Sequence, residues 1–200
     1  MSEQITVAIT GASGAVYGVS LVKRLLEAEH VVHLIISDQG RELLKQELGL
    51  DLIGVENRND YFCDFMGFES GCLYLLNNNS WQSVVASGSG APDKMVIAPC
   101  SMATLAKVAA GIADNLIARA ADVVLKERGK LILVPRETPL STVHLENMLR
   151  ISRAGGVILP PTAGFYNDPE TIEDMVDFVI ARIFKQLGLN NDFCGIWGEE

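Results

Sequence analysis

Two hundred residues, 48% of them hydrophobic and 20% charged, suffice for one α/β domain with its own core, are short for two, and exclude a disordered chain. A net charge of −9 argues against a nucleic-acid surface, where phosphate contacts require clustered Lys and Arg. No apolar run reaches the roughly 18 residues that cross a bilayer, and no basic segment with a long apolar core opens the chain, so neither a membrane span nor a secretory signal is expected.

In chain order, a β-branched apolar run over residues 5–10 predicts a strand that empties into Gly11, Gly14 and Gly18, with a helix over 15–28. A second run at 31–37 leads into a helical pattern at 38–48. Residues 54–80 are polar and read as irregular, with Asn77, Asn78 and Asn79 as a turn. The Ser/Gly-rich stretch 86–92 reads as a mobile loop. Further strands are expected at 95–99, 131–135 and 157–160. Helical patterns lie at 102–128, broken near Gly111, at 142–153 and at 169–187. The tail, 189–200, is polar with Phe193 and Trp197 interspersed, a pattern expected to dock on a neighbouring subunit. Near-continuous apolar strands alternating with helices predict a single-domain, open, doubly wound parallel sheet of Rossmann-like α/β class, with helices on both faces. Ligands of such sheets bind beyond the carboxyl ends of the strands, which directs attention to residues 11–14, 37–38, 100–101, 136–137 and 161–166.

The glycine turn is the first of these. A dinucleotide fingerprint, G-x-G-x-x-G, places its second glycine where the backbone approaches a pyrophosphate. Here the spacing is G-x-x-G-x-x-x-G, and Ser13 stands at the close-approach position. The dinucleotide pattern fails. A hydroxyl followed by the free N–H groups of a helix start suits the phosphate of a mononucleotide. The plainer alternative is a turn that only lets strand meet helix.

Ser101 and Thr104 fall at another strand-to-helix junction, where they either cap the helix or add a second anion contact. Cys100 beside them fits a small core residue better than a nucleophile. With Cys63, Cys72 and Cys194 it forms neither a C-x-x-C pair nor a zinc spacing, and His30, His33 and His144 are scattered. A reduced, cytoplasmic protein without a metal is therefore expected. After Gly111, residues Ala113, Leu116, Ile117, Ala120 and Val124 form an apolar stripe, and Arg119 and Lys126 share a face pointing away from it. That face is either solvated or completes an anion site of another subunit. Arg136 directly follows a strand and can grip a phosphate bidentately, with Glu137 beside it as a candidate acid or base. Arg182 borders a stripe of Ile172, Met175, Val176, Val179 and Ile183; it either snorkels to solvent or grips a phosphate together with Tyr166. No D-D-x-x-D, G-x-S-x-G or Walker A lysine motif occurs.

Taken together, TGASGAVYG, PCSMATLAK, GIADNLIARAADVVLKER, LVPRETPLSTVHLENML and LPPTAGFY, in this order between about residues 5 and 188, closely resemble the UbiX-like flavin prenyltransferases. The resemblance implies transfer of a dimethylallyl group from dimethylallyl monophosphate to N5 and C6 of reduced FMN, with no metal, so that the flavin is a substrate. Prenylated FMN would then serve a UbiD-like decarboxylase, in ubiquinone biosynthesis or aromatic acid decarboxylation. A homododecamer with active sites shared between subunits is implied as well. On this resemblance FMN is held by Gly11, Ala12, Ser13, Ser37, Ser101, Met102, Ala103, Thr104 and Arg136. Tyr166, Arg182, Lys126, Arg119 and Trp81 would serve the dimethylallyl phosphate, Lys126 and Arg119 from a neighbouring chain. Catalytic roles fall to Ser13, Glu47, Glu137 and Lys126, the first three as candidates for moving a proton at N5 or C6. An aromatic face at Trp81 can stabilise a developing allylic cation. The flavin-dependent cysteine decarboxylases are the nearest alternative, but they rely on a mid-chain histidine, and none lies between His33 and His144. A passive FMN-binding or storage protein is the other.

Overall fold

The computed structural model describes residues 2–68, 71–166 and 168–194. Six parallel strands form one sheet in the order β3-β2-β1-β4-β5-β6: β1 (Gln4–Ile9), β2 (Val31–Ile36), β3 (Leu73–Leu76), β4 (Lys94–Cys100), β5 (Lys130–Pro135) and β6 (Val157–Ile158). The central strands are buried at nearly every position because helices cover both faces, which is why they read as unbroken apolar runs. Their side chains still divide by the two-residue period. Val7, Ile9, Leu34, Val96 and Val134 face one layer, and Ala8, Ile35, Ile97 and Leu133 the other.

The first layer holds α1 (Ala15–Glu27), α2 (Asp38–Leu48), α3 (Arg58–Phe65) and α7 (Ile172–Leu187), packed through Leu21, Leu44, Phe62 and Phe184. The second holds α4 (Met102–Ala110), α5 (Leu116–Lys126) and α6 (Thr142–Arg153), packed through Leu105, Ala121 and Ile151. Strand order reverses between β1 and β4, so the loops leaving their carboxyl ends part and open a crevice. Gly18 lets α1 lie against that point: a Cβ there would stand 2.4 Å from the Ala98 carbonyl oxygen.

Several expectations require correction. Residues 54–80 are not irregular, for they contain α3 and the edge strand β3. On α3 the buried side chains are the adjacent Phe62 and Cys63, which leaves no helical period to detect. The break expected near Gly111 is present and divides 102–128 into two helices, but Ala113 sits in the link rather than on a stripe. Gly111 ends α4 with φ of 68°, and α5 restarts under two asparagine caps. The Asn115 side chain accepts from the Ala118 N–H, while Asn78 accepts from Leu116 through its backbone oxygen and from Ile117 through its side chain. The last helix begins at Ile172 rather than 169, behind a Thr171/Asp174 capping box, and Ile172 is exposed. The 86–92 loop is a hydrogen-bonded turn: Gly90 and Ala91 donate to the Ser87 carbonyl, and Arg119 Nε donates to the Ala86 carbonyl at 3.1 Å.

Residues 189–194 of the tail pack on their own chain. The Phe193 ring meets Phe184 edge-on, with centroids 5.1 Å apart, and lies under the Arg24 guanidinium at 4.7 Å. Trp197 lies outside the described residues.

Candidate active site

At the β1–β4 crevice two helices begin side by side. Gly14 caps α1 in the left-handed region, φ 103°, where a side chain would be strained. Two of the amides that this turn frees, those of Gly14 and Ala15, are already taken. Glu47, at the last turn of α2, brings its Oε2 to 2.9 Å from the Gly14 nitrogen and 2.8 Å from that of Ala15, and both N–H groups donate to it. Burial is the largest single influence on this carboxyl and pushes its pKa up. The N–H donors of Ala15 and Gly14, the Ser13 hydroxyl and the Arg136 charge together outweigh it and hold Glu47 below the usual carboxylate range. Tyr17, in the same turn, is pushed up by burial, with the Arg136 charge opposing.

The start of α4 is built differently. Ser101 Oγ accepts from the Thr104 N–H at 3.2 Å and donates to Thr104 Oγ1 at 3.0 Å. Among the described residues no protein acceptor meets the N–H groups of Met102 and Ala103. This end therefore presents two free amides and two hydroxyls, the arrangement that receives an anion. Ser37 starts α2 nearby, its hydroxyl accepting from the Gly40 N–H at 3.0 Å, while its own amide donates to the Ile9 carbonyl. Gly11 backs onto Gln39 of α2. Ala12 is buried, and its N–H donates to the Thr10 carbonyl at 2.8 Å.

Arg136 leaves β5 at the same edge, its amide donating to the Cys100 carbonyl at 3.4 Å. Glu137 is exposed, and its carboxylate accepts from the Thr138 N–H at 3.0 Å. Cys100 is wholly buried, and burial pushes its thiol pKa up, so it stays protonated as a core residue should.

A second cluster lies beyond β6. Arg182 on α7 donates to the Tyr166 hydroxyl at 3.1 Å, its guanidinium 5.3 Å from the Phe178 ring centroid. Tyr166 meets that ring edge-on at 5.7 Å. Sequence reasoning overlooked Phe178; its position one helical turn before Arg182 was the available signal. A Cβ on Gly164 would stand 2.6 Å from the Phe178 ring, so a larger residue here would displace that ring.

Other residues singled out by the sequence stand apart. Arg119 pairs with Asp122 at 2.8 Å in the second layer. Lys126, paired with Glu127, lies seven residues further along α5, about 10 Å toward the amino ends of the strands. Neither reaches the Tyr166–Arg182 pair, which belongs to the opposite layer of the same chain. Trp81 is exposed, in the segment leading to the 3₁₀ turn Val84–Ala86. Among the described residues no group of three or more His, Cys, Asp or Glu converges as a metal site, and no helix is long and apolar enough to cross a membrane.

Comparison with known proteins gives the chain its family. The family described as Flavoprotein matches residues 1–184. A flavin prenyltransferase UbiX of Pseudomonas aeruginosa is 47% identical over 199 residues, covering 99% of this chain and 95% of that protein. One from Methanothermobacter thermautotrophicus is 45% identical, covering 98% and 95%. Among solved structures, AnUbiX in complex with FMN and dimethylallyl pyrophosphate superposes with a TM-score of 0.89 at 36% identity, covering all of both chains. A dodecameric FMN-dependent UbiX-like decarboxylase from Escherichia coli gives 0.86 at 41%, covering 98% of this chain and all of that one. The FMN-dependent cysteine decarboxylase TvaF, at 18% identity and a TM-score of 0.62, shares the fold alone. Full-length similarity at this level, on a doubly wound sheet whose crevice carries the two helix starts, makes the chain a member of the UbiX flavin prenyltransferase family.

Proposed function

We propose that this protein transfers a dimethylallyl group from dimethylallyl monophosphate to N5 and C6 of reduced FMN, in the cytoplasm, and that prenylated FMN passes to a UbiD-like decarboxylase. The observation that carries this reading is the contrast at the crevice: an open, hydroxyl-lined α4 start beside an α1 start closed by Glu47. When bound, reduced FMN supplies the electron-rich ring that accepts the allyl carbon.

The residues divide the work. Met102 and Ala103 N–H groups, with the hydroxyls of Ser101 and Thr104, fit the phosphate of FMN. Gly11, Ala12 and Ser13 line the opposite wall, with Ser37 and Arg136 at its edges. Glu47 is held ionised and within hydrogen-bonding reach of Ser13, so this pair is the best placed to accept or return a proton at N5 or C6. Glu137 commits its carboxylate to Thr138 and ranks behind them. Tyr166 and Arg182, set by Phe178, meet the phosphate of the second substrate, where preorganised donors stabilise the leaving group. Trp81 offers a π face to positive charge developing on the allyl carbons.

Lys126 and Arg119 join this set from a neighbouring copy. The placement of Lys126 toward the amino edge of its own sheet supports that division. Leu145 and Leu149, one turn apart on α6, leave an exposed apolar stripe, with Val143 exposed on another side of the helix; this suits a homo-oligomer, and we assign the dodecamer.

The test is anaerobic incubation with reduced FMN and dimethylallyl monophosphate. A flavin heavier by one prenyl unit is expected; bound but unaltered flavin would make the protein a carrier. For the shared site, Lys126→Ala and Arg182→Ala oligomers are each expected to be inactive and to regain activity when their subunits are mixed. Absence of recovery would overturn the sharing.

A further inference from the structure

Thr10 is the first residue past β1, and its hydroxyl ties the two walls of the crevice together. It is 1% exposed. Its Oγ1 donates to the Pro99 carbonyl at 2.8 Å and accepts from the Ser101 N–H at 2.8 Å. The Thr10 amide donates to the same Pro99 carbonyl at 3.2 Å, and the Thr10 carbonyl accepts from Ala12. The residue therefore touches the glycine turn through its backbone and the α4 start through its side chain.

This link stands just past the last paired residues of β1 and β4. β1 and β4 are in register from Ile5 opposite Lys94 to Ala8 opposite Ile97. Past that point β4 shifts register against β5, between Ile97 and Cys100. The Ser101 amide thus has no β1 backbone acceptor and takes the Thr10 hydroxyl instead. That bond orients the Ser101 backbone, and with it the Oγ that accepts from Thr104 and the direction in which the Met102 and Ala103 amides point.

We infer that Thr10 is a positioning residue, whose hydroxyl aims the start of α4 at the phosphate of FMN. The inference rests on the reading that this helix start receives that phosphate. Valine would keep the shape of Thr10 but leave the half-buried Ser101 N–H without its acceptor and remove a donor from Pro99. Serine would keep both bonds.

The experiment compares wild type, Thr10→Val and Thr10→Ser by titration with FMN and with riboflavin, which lacks the phosphate, alongside melting temperatures and the KM for dimethylallyl monophosphate. Thr10→Val is expected to weaken FMN binding about tenfold, the effect of about one hydrogen bond, with riboflavin binding and that KM within about twofold. Thr10→Ser should restore FMN affinity. Should Thr10→Val fail to fold, Thr10→Ala, which relieves packing while removing the hydroxyl, is titrated in its place. Unchanged FMN affinity, equal losses for both flavins, or a serine variant as weak as valine would each overturn the role of Thr10. A wild type that binds FMN no tighter than riboflavin would overturn the phosphate placement and the inference with it.

Discussion

The starts of α1 and α4 are neighbours at the carboxyl edge of β1 and β4, yet they dispose of their free N–H groups in opposite ways. At α1 the chain supplies its own anion, Glu47, which takes the Gly14 and Ala15 amides. At α4 a serine caps one amide and leaves those of Met102 and Ala103 open beside two hydroxyls. A phosphate placed at α1 would meet a carboxylate held ionised, whereas at α4 it meets the Met102 and Ala103 amides and no charged acceptor of that helix start. The glycine turn, the feature most suggestive of phosphate binding in the sequence, is thereby the less suitable of the two. It shapes the wall that holds Glu47.

The largest expected break in this contrast is Glu47→Gln. It removes a base while keeping shape, so the rate of prenyl-FMN formation should fall by about a hundredfold or more, with FMN affinity within about threefold. Rapid-quench kinetics and flavin titration check the two halves; an unchanged rate would assign the proton to another group. Next is Ser101→Ala, which should weaken FMN by about tenfold through lost charge-assisted bonding, with the rate at saturating FMN kept within about fivefold. Fluorescence titration of the flavin reads it.

Much of this contrast was out of reach of the sequence, for a physical reason. That Ser101 would begin a helix follows from a short hydroxyl residue between an apolar strand and a helical run. That Glu47 would lie on α1 depends on how α2 packs against α1, which no local pattern encodes; its place among the candidates came from family resemblance. The same division holds for the fold. β1, β2, β4 and β5 are long and buried on both faces, hence legible as apolar runs. β3 is a four-residue edge strand with Tyr74 exposed, and it is specified mainly by pairing with β2. The separation of Lys126 from Tyr166 likewise follows from the antiparallel run of α5 against the strands, and no spacing in the sequence reveals it.

A third helix start sharpens the comparison. α5 is closed by two asparagines, and we expect Asn78→Ala to cost about 1 kcal/mol, lowering the melting temperature by roughly 3 °C without a change in FMN affinity. A loss of FMN affinity would show that α5 also shapes the crevice. The smallest effect concerns pH. Because the folded Glu47 carboxyl lies below its ordinary value of 4.5, its contribution to stability is complete above that value and is lost as pH falls through the folded one. Thermal melts of wild type and Glu47→Gln should therefore differ most near neutrality and converge in acid; a constant gap would contradict this linkage.

The most direct measurement is the ratio of FMN to riboflavin affinity in wild type, Ser101→Ala and Glu47→Gln. If the phosphate sits at the α4 start, wild type prefers FMN, Ser101→Ala loses most of that preference, and Glu47→Gln keeps it. A Ser101→Ala variant that retains the preference, with a Glu47→Gln variant that alters it, would place the phosphate at α1 and contradict the account.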